Sequence, residues 1–281
     1  MARPERRRGG RRDATLVEGS HDLNAIFPYI MKRRCDSVVY FSEAIDIENL
    51  LEFIAQKKQT DDGITFFQVF IVAIVKLLRD RNHLNRFVIG RRLYQRDDIV
   101  INFVAKREFT DESSETNVTL RVRPEDEARD VLRKFRECVR SAKRGDEKGD
   151  DKALGSLMKM PRWLLMLAIR IMEMMDFHRG IPKVLEDVDP IRCTAFVANL
   201  GSVGIEAPFH HLYEWGTNSL FIAIGRIKKM PFVNDDGSIV AKTMVEIKVT
   251  LDERIADGFY FARSLDLLKQ YLNDPKSLEL F

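Results

Sequence analysis

The chain has 281 residues, 45% of them apolar and 32% charged, with a formal charge of +3. Such a chain can bury a sizeable core as one large domain or two small ones, and it is not globally disordered. Much of the positive excess lies in MARPERRRGGRR at the start; nucleic-acid binding through this arm is a third reading that rests on composition alone, and no nucleic-acid partner is expected.

Residues 1–25 read as a basic, mobile arm. The run SVVYFSEAID (37–46) has strand composition, and Asp46 stands where it can cap the next helix. Residues 47–58 carry Ile47, Leu50, Leu51 and Ile54 at helical spacing, and 65–81 form a second helix apolar on most sides, hence buried. Two extended runs around a polar turn occupy 87–108, and a further strand occupies 116–122. A helix over 125–145 is acidic early and basic late, the order its dipole favours. A charged loop follows at 146–152.

The segment PRWLLMLAIRIMEMMDFHRG (161–180) confines Arg162, Arg170, Glu173 and Asp176 to one stripe. Its remaining circumference is apolar, so it needs apolar partners on nearly all sides: core, a subunit interface, a wall for a long acyl substrate, or a peripheral lipid contact. Its apolar stretch is too short to span a membrane, whose core takes about 20 apolar residues. Strands and glycines then alternate from 191 onward, and a helix at 260–272 is stopped by Asn273 and Pro275. This mixture predicts an α+β fold, an α/β sandwich in which helices pack on a mixed sheet. Cys35, Cys138 and Cys193 have no CxxC spacing, so neither a disulfide framework nor a metal site is expected. No secretory leader pattern opens the chain, and a cytoplasmic location is expected.

Three stretches carry a resemblance. FVANLGSVG (196–204), LFIAIGRI (220–227) and LDERIADG (251–258) resemble, in order, landmarks of the dihydrolipoyl acyltransferase catalytic domain of 2-oxoacid dehydrogenase complexes. These landmarks are F-T-I-S-N-L-G-x-x-G, G-[RK]-I and D-H-R-x-x-D-G. PYIMKRR (28–34) and LNRF (84–87) resemble earlier ones. The resemblance covers about residues 26–280 and implies the chloramphenicol acetyltransferase-like fold, a homotrimer or an assembly of trimers, and coenzyme A thioesters as substrates. The stretch near 150–185 looks like an apolar helical insertion within a domain spanning 26–281. No lipoyl domain precedes the match, so no covalent lipoyl group and no metal are expected.

The resemblance also implies roles. The family's histidine, which deprotonates the thiol, aligns with Glu253, and its oxyanion-donating serine aligns with Ala198. Glutamate ordinarily titrates near 4.3 and a thiol near 8.5, a gap of about 5.7 kcal/mol against proton transfer. His210 and His211, in PFHHLYEWGTNS, are the alternative bases. Asn199, Ser202, Thr217 and Thr250 are donors near the matched motifs, and Cys193 reads as a buried small hydrophobe. Asp257 is expected to bridge to Arg33 or Arg34 and so fix the loop, with Gly258 permitting its tight backbone. Two functions follow: a coenzyme A-dependent acyltransferase with altered chemistry and an unidentified acceptor, or a catalytically silent scaffold or binding module.

Overall fold

The structure is a computed structural model, and it describes residues 11–18, 25–59, 63–106, 115–144, 159–178 and 180–280. Residues 1–10, which make up most of the basic stretch, and the charged loop at 146–152 lie outside them.

Six strands form the main sheet: β2 (Val38–Asp46), β5 (Ile99–Lys106), β6 (Glu115–Val122), β7 (Ala195–Asn199), β8 (Leu220–Val233) and β9 (Ile239–Asp252), in the order β2-β9-β8-β7-β5-β6. β7 runs parallel to both β5 and β8, and the remaining pairs are antiparallel. Side chains alternate across a strand, which divides the sheet cleanly. Ala195 and Val197, Leu220 and Ile222, and Val249 and Leu251 enter the main core. Phe196, Phe221 and Ala223 join a small cluster on the opposite face.

Four helices cover the core face: α2 (Glu48–Lys57), α3 (Phe66–Asp80), α4 (Ala128–Arg144) and α7 (Gly258–Asn273). Thr65 starts α3 by accepting the Gln68 N–H, and the ten residues buried along the helix make it the centre of that layer. Asp46 accepts the Glu48 N–H at 3.1 Å, the capping role its position suggested. A 3-10 turn, Asn82–Asn85, follows α3.

The extended stretch at 87–108 divides differently from expectation. It supplies β3 (Arg86–Ile89), β4 (Arg92–Arg96) and then β5, and the first two leave the main sheet for a separate three-stranded one with β1 (Ala14–Leu16). The cause is the Gly90–Arg91 turn, where both φ values are positive, 57° and 59°. Paired left-handed residues match the twist of a tight hairpin. The expected mobile arm is therefore folded where it is described: β1 pairs with β4, and Arg11 is buried.

Short helices α1 (Phe27–Ile30) and α6 (Lys183–Val188) flank the remaining helix, α5 (Arg162–His178). α5 departs most from its sequence reading. Only Asp176 is buried on it, while Trp163 is 67% and Met174 59% exposed. Its apolar circumference thus faces outward in the single chain. A charge cluster anchors its C-terminal end: Asp176 accepts from Arg11 (2.8 Å) and Arg192 (2.5 Å), and Arg11 also reaches Asp13 (2.9 Å). Burial pushes the Asp13 carboxyl up, but Arg11 and Arg96 outweigh it and hold the group below the usual carboxylate range. The Phe177 carbonyl closes the anchor, lying where a side chain on Gly90 would collide with it at 2.1 Å.

Two of the quoted landmarks touch. A side chain on Gly201 would meet the Gly225 carbonyl at 2.4 Å, so the turn after β7 rests directly on the β8 bulge. Only glycine tolerates that approach.

Asp176 is shared by two arginines that each keep a second carboxylate, Asp13 for Arg11 and Asp189 for Arg192. Asp176→Asn removes charge-assisted hydrogen bonds without stranding either guanidinium and is expected to cost about 1.5–3 kcal/mol. Chemical denaturation measures it, and a loss below about 1 kcal/mol would mean that water reaches those guanidinium groups.

Candidate active site

The loop after β9 is held from three directions. Asp252, fully buried at the end of β9, receives Arg254 through Nε (2.8 Å) and Nη2 (2.6 Å). The Ser37 hydroxyl lies 3.1 Å from Asp252 Oδ1, and Arg254 Nη1 donates to the Met31 carbonyl at 3.0 Å. Beside them the buried Arg34 guanidinium donates to the carbonyls of Glu214 (2.8 Å), Gly216 (2.9 Å), Tyr213 (3.1 Å) and Val88 (3.3 Å).

Glu253 follows, its N–H donating to the Ser37 carbonyl at 2.8 Å. Its side chain is half-buried and, among the described residues, forms no ion pair. Asp257 does not make the expected bridge to Arg33 or Arg34. Its carboxylate instead caps α7, accepting the Tyr260 N–H at 2.7 Å, while Arg33 is exposed and Arg34 is taken by the four carbonyls. The reason is positional: an aspartate immediately before a helix satisfies an orphan N–H locally, without a distant arginine. Gly258 opens α7 with no positive φ, so the loop asks no special freedom of it.

The sheet face away from the helices carries two rows of interest. In one, Ala198, Ala223, Lys248 and Ser42 are cross-strand neighbours. In the other, Phe196, Phe221, Thr250 and Tyr40 are. The 205–218 segment folds over the second row. His210 lies flat on Phe221, with ring centroids 3.9 Å apart, and Thr250 Oγ1 donates to the His210 carbonyl at 2.5 Å. His210 Nδ1 is 2.7 Å from the His211 carbonyl. A carbonyl only accepts, so Nδ1 carries the proton and the neutral ring keeps a free lone pair on Nε2. His211, exposed, stacks beside it.

The nearby donors are committed. The Ser202 hydroxyl donates to the Asn199 carbonyl (2.7 Å), Thr217 accepts from Arg96 (2.6 Å), and Thr250 serves His210. Asn199 is half-buried at the end of β7. Ala198, on that strand, has nothing to donate. Burial pushes the Cys193 thiol up to about 12, which keeps it an inert core residue.

The structure therefore places Ala198 and His210 on adjoining parts of one sheet face and Glu253 just past its edge. The sequence reading gave Lys248 no role and paired Arg33 or Arg34 with Asp257. For Asp252 and Arg254 it had only their places in the LDERIADG landmark. Lys248 Nζ donates to Glu246 (2.5 Å) and Ser42 (2.6 Å) in the same row as Ala198. Among the described residues no group of three His, Cys, Asp or Glu side chains could hold a metal, and no helix is long and apolar enough to cross a membrane.

Residues 164–280 match the model of the 2-oxoacid dehydrogenases acyltransferase catalytic domain. That match begins inside α5, so it includes most of the helix that resembled an insertion. Over 233 residues, 81% of this chain and 45% of the relative, the chain is 24% identical to the lipoamide acyltransferase component of the branched-chain alpha-keto acid dehydrogenase complex of Bacillus subtilis. The chain spans less than half the length of the curated relatives it matches. Its fold is that of a dihydrolipoamide acetyltransferase of Azotobacter vinelandii, with a TM-score of 0.59, 15% identity and coverage of 94% and 95% of the two chains. That protein was studied for the role of a serine, a histidine and an asparagine in its catalytic mechanism. The cubic core of a pyruvate dehydrogenase complex superimposes with a TM-score of 0.58 at 16% identity, covering 91% of this chain and 88% of that one.

Neighbouring substitutions on the loop separate architecture from chemistry. Asp252→Ala strands buried Arg254 and is expected to lower unfolding free energy by about 3–5 kcal/mol. Glu253→Gln, at a half-exposed position without an ion pair, is expected to shift it by less than about 0.5 kcal/mol. Parallel denaturant titrations compare the two.

Proposed function

We propose that this chain, a relative of the 2-oxoacid dehydrogenase acyltransferase catalytic domains, moves an acyl group between a coenzyme A thiol and a second acceptor, with His210 as the base. The observation that carries this reading is the His210 tautomer: Nδ1 lies 2.7 Å from a carbonyl and so holds the proton, which leaves the lone pair on Nε2. Energetics choose it over Glu253, the residue aligned with the family histidine. An ordinary imidazole lies about two pKa units below a thiol, or about 2.7 kcal/mol, against about 5.7 kcal/mol for an ordinary glutamate. Ala198 cannot stabilise an oxyanion. Lys248 shares its row and spends two of three ammonium protons on Glu246 and Ser42, which makes it our candidate for that role. Glu253, His211 and Asn199 border the site without a required step.

The exposed apolar face of α5 and the open sheet face support a homotrimer or an assembly of trimers, with the site completed between copies. A lipid surface is the other occupant that α5 suits. The second functional reading is a silent scaffold, and the alanine at 198 favours it.

Acetyl-coenzyme A at a hundred times its dissociation constant should stabilise the fold by about 2.7 kcal/mol, read as a thermal shift. His210→Gln should lower kcat about 10²–10⁴-fold and abolish the acidic limb of its pH profile. Glu253→Gln should cost less than about tenfold, since it removes no proton-transfer step. If no thioester shifts the melting temperature and no turnover is found, the chain is the scaffold.

A further inference from the structure

A cleft of about 360 Å³ opens between the β3–β4 hairpin and the active-site loop. One wall is Arg254–Asp257, which follows Glu253 directly, and the other carries His83, Arg86, Arg91 and Arg92. The left-handed Gly90–Arg91 turn sets two consecutive arginines at its rim.

The charges do not balance. Arg254 is paired with Asp252, so Asp257, which also caps α7, is among the described residues the one carboxylate on these walls that faces Arg86, Arg91 and Arg92. Arg86 is half-buried, and its Nε donates to a neutral partner, Gln95 Oε1, at 3.1 Å. Burial pushes its guanidinium down, and only Tyr260 acts the other way. Arg91 and Arg92 are exposed, and neither pairs with a carboxylate among the described residues. His83 stacks on Tyr260, and burial, then Arg86 and Arg81, outweigh Asp257 and hold its imidazole below the usual range. Among the described residues, three guanidinium groups that form no ion pair line one cavity.

Like charges gathered in a concave site lower one another's stability unless an anion joins them, and planar guanidinium forks match phosphate oxygens two at a time. The volume lies at the small end of ligand clefts. It suits a phosphate or diphosphate group rather than a whole cofactor.

We propose that this cleft binds the phosphate of a reactant and thereby seats that reactant against the loop carrying Glu253. The inference rests on the acyl-transfer reading above for what the reactant does, but not for whether the anion binds. The phosphate belongs either to the thioester carrier itself or to a phosphorylated acceptor.

Isothermal titration calorimetry at low salt, with inorganic pyrophosphate and acetyl-coenzyme A as probes, tests it on the wild type and on the Arg91→Gln, Arg92→Gln double variant. Both positions are exposed, so the variant should keep its melting temperature. Pyrophosphate should bind the wild type and bind the double variant at least tenfold more weakly. Equal loss of acetyl-coenzyme A affinity assigns the site to the carrier's phosphates. Unchanged acetyl-coenzyme A affinity assigns it to a phosphorylated acceptor. Pyrophosphate that binds neither protein, or both alike, overturns the proposal. Acetyl-coenzyme A binding to the wild type reports separately on the acyl-transfer reading.

Discussion

The carboxylate of Asp252 is the constraint on which the site depends. A fully buried carboxylate is untenable alone, and Arg254 meets it with two hydrogen bonds while also binding the Met31 carbonyl. Arg34, alongside, gathers four carbonyls from the end of β3 and the segment leading into β8. Two arginines thus join the start of the domain, the small sheet, the 213–216 loop and the end of β9. Glu253 sits where it does because residues 252 and 254 have no freedom.

The same sheet serves two purposes through its alternation. One face disappears into the helices, and its aliphatic residues account for most of the core. The other face carries a row of small and polar residues beside a largely aromatic one, and the histidine segment roofs the aromatic row. Outside both, α5 is anchored at its charged end through Asp176 and leaves many of its apolar side chains exposed. Contiguous apolar surface of that kind is where interaction sites concentrate.

Under the proposed acyl-transfer reading, chemistry on that face would differ from the arrangement that the LDERIADG resemblance implies. Asp252 and Arg254 hold the loop, and the residue between them is a carboxylate where the resembled landmark has an imidazole. An imidazole with a fixed tautomer, His210, comes from a different segment of the chain. A base can be supplied from another direction provided its tautomer is fixed, and the His211 carbonyl fixes that of His210.

What the sequence alone determined was local or periodic. The apolar run of α3 with its Thr65 cap, the period-two strands β7 to β9, the α+β class and the glycine landmarks are all written within stretches of about ten to fifteen residues. Tertiary structure decided everything that joins distant charges: Arg11 with Asp176, 165 residues apart, and Arg34 with Gly216, 182 residues apart. It also turned Asp257 into a helix cap, set the His210 tautomer, exposed α5 and gathered the arginines of the cleft. Local propensity acts through neighbours along the chain. Pairing of buried charges depends on which segments the closed sheet brings within 3 Å or so, and no short stretch of sequence carries that information.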